Sequence, residues 1–171
     1  GGPNIAESFE YDGTNWAAGG NINTARERAA GFGTQTAAVA VGGGPPYKNN
    51  VEEYNGTAWS NATVYPTNIL RASAAGTLTA GLVFGGDIPP TTTNSRAYDG
   101  TNWTTSPALS TARQGSAGFG TSTDAVMGAG ALANGTAVKN VEEFHSQLAV
   151  VTAGAWSSGG NLTVGRESIR G

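Results

Sequence analysis

The chain of 171 residues has no cysteine, which excludes disulfides, thiolate metal sites and thiol nucleophiles. Charge is also scarce. Asp, Glu, Lys and Arg make up 12% of the residues, against roughly 25% in an average globular domain. The nine basic residues are scattered and form no run or patch, so no nucleic-acid partner is expected. No apolar run approaches the roughly 20 residues needed to cross a bilayer, and no membrane insertion is expected. The single histidine, His145, excludes a histidine-based metal cluster, and the aspartates lack calcium-loop spacing. The Gly-rich stretch GAGALANG opens no helix after a strand, so a phosphate loop is not supported either. No metal or cofactor is therefore expected. Lys and Glu, the usual helix formers, are few.

Gly, Thr, Asn, Ser and Ala dominate instead, with 27 glycines, a composition suited to short strands and tight turns. The hexapeptide YDGTNW occurs at 11–16 and again at 98–103, with the near-copy YNGTAW at 54–59. Tyr11, Tyr54, Tyr98 and Phe144 stand 43, 44 and 46 residues apart, and each is followed by a Trp: Trp16, Trp59, Trp103 and Trp156. An arginine follows each Trp by 10 to 12 residues (Arg26, Arg71, Arg113 and Arg166), and a glycine cluster closes the next segment. A period near 43 residues marks an array of supersecondary units.

Each unit reads as four strands: a small-residue strand, an apolar strand such as AAVAV, a strand ending in the aromatic, and a strand carrying the Trp. The Asp-Gly or Asn-Gly pair predicts a two-residue hairpin turn with both central residues at positive φ. The expected fold is therefore all-β, a propeller of four-stranded antiparallel blades. Approximate units are 1–25, 26–70, 71–112 and 113–165, with a partial unit at 166–171, all within one domain or segment. The units at both ends are incomplete, so the chain reads as part of a larger ring or as one that other chains complete.

The order of apolar stretch, Gly-Gly, loop, Glu-x-Tyr, turn, Trp and Arg resembles the kelch repeat. It is particularly similar to the short Thr/Asn/Gly-rich kelch-like repeats of phage and bacterial surface proteins. The resemblance covers nearly the whole chain and implies that each arginine pairs with a strand carboxylate such as Glu10, Glu53 or Glu143. The alternative is a ring of cations that receives an acidic ligand. Two departures stand out. SRAY places Arg96 and Ala97 where neighbouring units have carboxylates, and an insertion of seven residues separates Phe144 from Trp156. YDGTNW is also similar to the Asp box of sialidases, a structural turn that implies no activity. Galactose-oxidase chemistry, which shares the kelch architecture, needs a Tyr–Cys crosslink that this chain cannot form.

With the periodic aromatics assigned to packing, the candidate ligand residues are those where the repeat is broken or its loops vary. They are Tyr47, Lys48 and Asp87 between second and third strands, Tyr65 in the loop entering the next unit, and Arg96. The expected function is a non-catalytic structural or adhesive module of a phage virion or bacterial surface, located on the virion or outside the cell. Its partners would be other protein chains. The alternatives are a lectin-like propeller that binds glycans, or a piece of a glycan-processing enzyme.

Overall fold

The computed structural model describes residues 4–146 and 155–159, the side chains of 155–158 excepted. Arg166, the middle of the seven-residue insertion and the partial unit at 166–171 lie outside the described residues. A hairpin comes first, β1 (Phe9–Tyr11) and β2 (Trp16–Ala18). Three four-stranded antiparallel sheets follow, each in simple sequence order. The first is β3 (Ala30–Thr34), β4 (Ala37–Val41), β5 (Val51–Tyr54) and β6 (Trp59–Asn61). The second is β7 (Ser73–Thr77), β8 (Ala80–Phe84), β9 (Ser95–Tyr98) and β10 (Trp103–Ser106). The third is β11 (Ala117–Gly120), β12 (Asp124–Gly128), β13 (Val141–His145) and β14 (Ala155–Ser158).

The sheets stack through their opening strands, β3 against β7 and β7 against β11. Those strands are built largely of Ala, Gly and Ser because their backbones nearly touch. A Cβ on Gly118 would stand 2.6 Å from the Ala74 carbonyl oxygen. Larger side chains of one sheet enter hollows in the next. The Phe32 ring fills the space a side chain at Gly81 would need, 2.2 Å from an added Cβ. Around these contacts lie Val39, Val41, Leu82, Val83, Phe84 and Met127, none more than 1% exposed.

The repeated hairpin turn differs from its sequence reading. Tyr11 pairs directly with Trp16, and Tyr98 with Trp103, so each loop holds four residues. In 12–15 the only positive φ is that of Gly13, +98°. The Asp12 carboxylate explains the wider loop, since Oδ1 accepts the N–H groups of Thr14 and Asn15, both at 2.7 Å. Asn55 and Asp99 do the same in the second and third copies. The backbone N–H of Asn15, then of Thr14, lowers the Asp12 pKa, and Asn102 and Thr101 do so for Asp99.

Neighbouring sheets are also tied by polar pairs. Tyr54 donates its hydroxyl to Glu10, and Tyr98 donates to Glu53 at 2.6 Å. The next equivalent pair is Phe144 and Ala97, which lie in one apolar cluster. A carboxylate and a hydroxyl have both gone, and SRAY is thereby accounted for at Ala97. Tyr98→Phe alone is expected to cost about 1–2 kcal/mol, because it strips the half-buried Glu53 of its donor. Tyr98→Phe combined with Glu53→Ala should recover most of that loss, as measured by urea unfolding.

The two outer faces of the stack differ from the inner ones. Phe119 and Val126 are 52% and 38% exposed, whereas their counterparts Phe32 and Val39 are 8% and 1%. In the first hairpin Tyr11 is 45% exposed, against 4% for Tyr54 and 2% for Tyr98.

Candidate functional site

At one end of each sheet, the segment entering the first strand meets the loop between second and third strands. Isolated bridges pair Glu27 with Gly44, Leu70 with Asp87 and Gln114 with Ala131. These bridges fix the equivalence of the three sheets independently of sequence spacing. Arg26, Ile69 and Arg113 are counterparts, and two residues further on so are Arg28, Arg71 and Gly115. Arg26, Ile69 and Arg113 each follow their Trp by 10 residues, whereas Arg71 follows Trp59 by 12, so matching arginine to arginine places Arg71 two positions off.

Arg26 and Arg113 are buried and structural. Arg26 pairs with Glu52 and donates to the carbonyl oxygens of Asn50 and Gly42 at 2.9 and 3.1 Å. Burial lowers its pKa, and Glu52 opposes that shift. Arg113 donates to Glu142 Oε1 at 2.5 Å and to the Asn140 carbonyl at 2.7 Å. The second oxygen of each glutamate accepts a backbone N–H three residues before its arginine, from Asn23 at 2.6 Å and Ser110 at 2.7 Å. Pairing with a strand carboxylate is thus seen for two arginines, but the partners are Glu52 and Glu142 and not Glu53 and Glu143. Side chains alternate along a strand, so adjacent glutamates serve opposite faces.

The middle sheet has lost this network as a unit. Ile69 stands for the arginine, Arg96 for the glutamate, and Pro66, without an N–H, for the donor. Ile69 is 1% exposed. Arg96 donates to Thr105 on the adjacent strand. Tyr65, read from sequence as a loop platform, occupies the buried position of Leu109 and is 1% exposed, edge-on to Trp103 at 4.9 Å. Its hydroxyl is buried without a partner, and burial pushes its pKa up to about 12. Neither face of that ring is open to a ligand. The Leu109 equivalence is visible as a hydrophobic residue four positions before Ile69, but only once the register is known.

Tyr47 and Asp87 do come together. The loops of successive sheets bring the Tyr47 hydroxyl to Asp87 Oδ2 at 2.5 Å. That hydrogen bond raises the Tyr47 pKa, with burial and the Asp87 charge adding to it, while the guanidiniums of Arg71 and Arg28 pull it down. Leu70, next to Arg71, bridges to Asp87, and the Arg71 N–H donates to the Arg28 carbonyl at 3.0 Å, so the chain brings both arginines to this pair. Lys48 belongs to the same loop, and its backbone bridges to Ile69. Its Nζ lies 3.4 Å from the Pro46 carbonyl.

Sequence reasoning missed Arg28 and gave Arg71 the wrong role. Both have φ +55°, a left-handed backbone rare for a side chain of this size, and their counterpart Gly115 has +63°. The three residues are strung across the inner strands by hydrogen bonds, Arg71 N–H to Arg28 O at 3.0 Å and Gly115 N–H to Arg71 O at 2.9 Å. Arg71 Nη1 donates to Gln114 Oε1 at 2.9 Å. Among the described residues no carboxylate lies within ion-pair distance of Arg71. Arg28 lies 3.5 Å from Glu27, whose Oε1 is buried and makes no hydrogen bond. His145 is elsewhere, 3.1 Å from Asp124 and 3.4 Å from Glu143 on the surface, and hydrogen bonds to those carboxylates raise its pKa.

The fold and site define an all-β chain of antiparallel four-stranded sheets, consistent with a β-propeller. Among solved structures the chain is similar to YjhT, with a TM-score of 0.70 and 15% sequence identity. The match covers 90% of this chain and 51% of that one, so the chain spans about half the length of YjhT. At that identity the likeness concerns fold alone. No protein-family model matches the chain, and no similar curated protein is found.

Proposed function

We infer that the chain is a run of blades of a kelch-like propeller that serves as a non-catalytic binding module on a virion or bacterial surface. The observation that carries this reading is the link between loops of successive sheets, Tyr47 to Asp87, on the face where Arg28 and Arg71 are held in left-handed backbone. Loops mounted on rigid sheets are where binding residues concentrate. Buried Arg26 and Arg113 are committed to Glu52 and Glu142, which leaves them to stability. Low charge and abundant Thr, Asn and Gly support a surface setting. The apolar end faces at Phe119 and Tyr11 suit cover by further sheets, from the same polypeptide or from other chains.

Immunogold labelling of intact virions and whole cells of the source is the test. Label on particle or cell surfaces is expected, and label confined to the cell interior would sink the surface reading. A lectin-like variant of the same reading rests on the accessible Tyr47–Asp87 pair. It predicts hits on a glycan array that Tyr47→Ala removes.

A further inference from the structure

We propose that Arg28 and Arg71 form a binding site for a small ligand carrying one carboxylate and neighbouring hydroxyls. The inference rests on the reading of this face as the ligand-binding one, and adds the chemistry it takes.

The backbone supplies the first argument. A left-handed conformation is easy for glycine and unfavourable for arginine. The third sheet uses Gly115 at this position, so the geometry needs no side chain. Arginine stands there twice all the same, and strain kept against an available relief is a sign of function. The second argument is vacancy of charge. The Arg71 guanidinium spends one N–H on the neutral Gln114 amide and has no carboxylate within 4.0 Å among the described residues. Its planar fork matches a carboxylate in two-point contact.

The other groups restrict the ligand. Asp87 and Glu27 balance the two cations, so a ligand with many negative charges would meet repulsion. The Tyr47–Asp87 pair and Gln114 can exchange hydrogen bonds with hydroxyls beside the acid group. A single acid on a polyhydroxy frame satisfies both conditions. An acidic peptide does not.

The test follows the side-chain Nε–H resonances of the arginines by NMR while D-glucuronate, D-glucose or tetra-aspartate is added. Saturable shifts of the Arg28 and Arg71 signals are expected with glucuronate and not with glucose. Arg71→Gly and Arg28→Gly should each weaken binding about tenfold or more, with no fall in melting temperature because Gly115 shows that the backbone accepts glycine. Arg71→Asn, which also tolerates this conformation, should lose binding likewise. Equal affinity of the Gly or Asn variants for glucuronate would overturn the proposal. So would a loss of stability in both Arg71 variants, which would make the residue a structural one, or tighter binding of tetra-aspartate. A protein that labels surfaces yet ignores glucuronate would refute the carboxylate site and leave the proposed function standing.

Discussion

Glu142→Ala is expected to destabilise the protein by about 3–5 kcal/mol, read as a lower urea midpoint with an unchanged slope. Glu142 is 2% exposed and Arg113 1%, so removing the carboxylate leaves a cation in a dry site. Its remaining acceptors, the carbonyls of Asn140 and Ala129, are neutral dipoles. Ser110 would lose its acceptor too, since both its N–H and its hydroxyl donate to Glu142. The pair is not thereby a large net source of stability. Desolvating two ions costs nearly what their attraction returns, and an apolar replacement of both can be neutral. The middle sheet makes half of that replacement naturally, with Ile69 in the arginine position and Arg96, turned to Thr105, in the glutamate position. Arg113→Ile with Glu142→Leu should therefore lose much less than Glu142→Ala. If the double variant is the worse of the two, the ion pair itself supplies the stability.

Gly42→Ala should cost about 2–5 kcal/mol, from a left-handed penalty of about 1–2 and a displaced neighbour of about 1–3. Gly42 has φ +65°, and an added Cβ would stand 2.4 Å from the Ile69 carbonyl oxygen. That oxygen accepts the Gly43 N–H at 2.8 Å, so the methyl group would push against a hydrogen bond joining two sheets. Gly85 and Gly86 repeat the device against the Arg113 carbonyl. Ala129 is the third-sheet counterpart and already has φ +60°. Ala129→Gly should thus gain up to about 1 kcal/mol. Thermal unfolding of both variants checks the pair of expectations, and a harmless Gly42→Ala would mean that the carbonyl contact carries no load.

The strand order of every described unit was legible in the sequence, because apolar, aromatic and turn residues recur with the period of the sheets. What failed were matters of one or two residues. Asp-Gly suggests a two-residue turn, but the Asp12 side chain captures two N–H groups and holds a four-residue loop. Glu53 and Glu52 are neighbours in sequence yet face different sheets, and only the register assigns Tyr98 to one and Arg26 to the other. Arg71 was misaligned because it is the first arginine after Trp59, while an isoleucine, Ile69, holds the equivalent position. Of the candidate site, Tyr47 and Asp87 were chosen for their loops, and the structure brings these two side chains together. Arg28 was not chosen, because its signal is a backbone angle that no spacing encodes.

The matched pairs between sheets have a further consequence. Repeats this alike, with identical hexapeptides, risk docking out of order as the chain folds. Tyr98 requires a carboxylate at its neighbour and finds Glu53; Phe144 requires none and finds Ala97. Exchanging the first and second four-stranded sheets would set the Glu53 carboxylate against the Phe144 ring and the Tyr54 hydroxyl against the Ala97 methyl group. The irregularities in the repeat thus act as addresses, specifying which copy sits beside which.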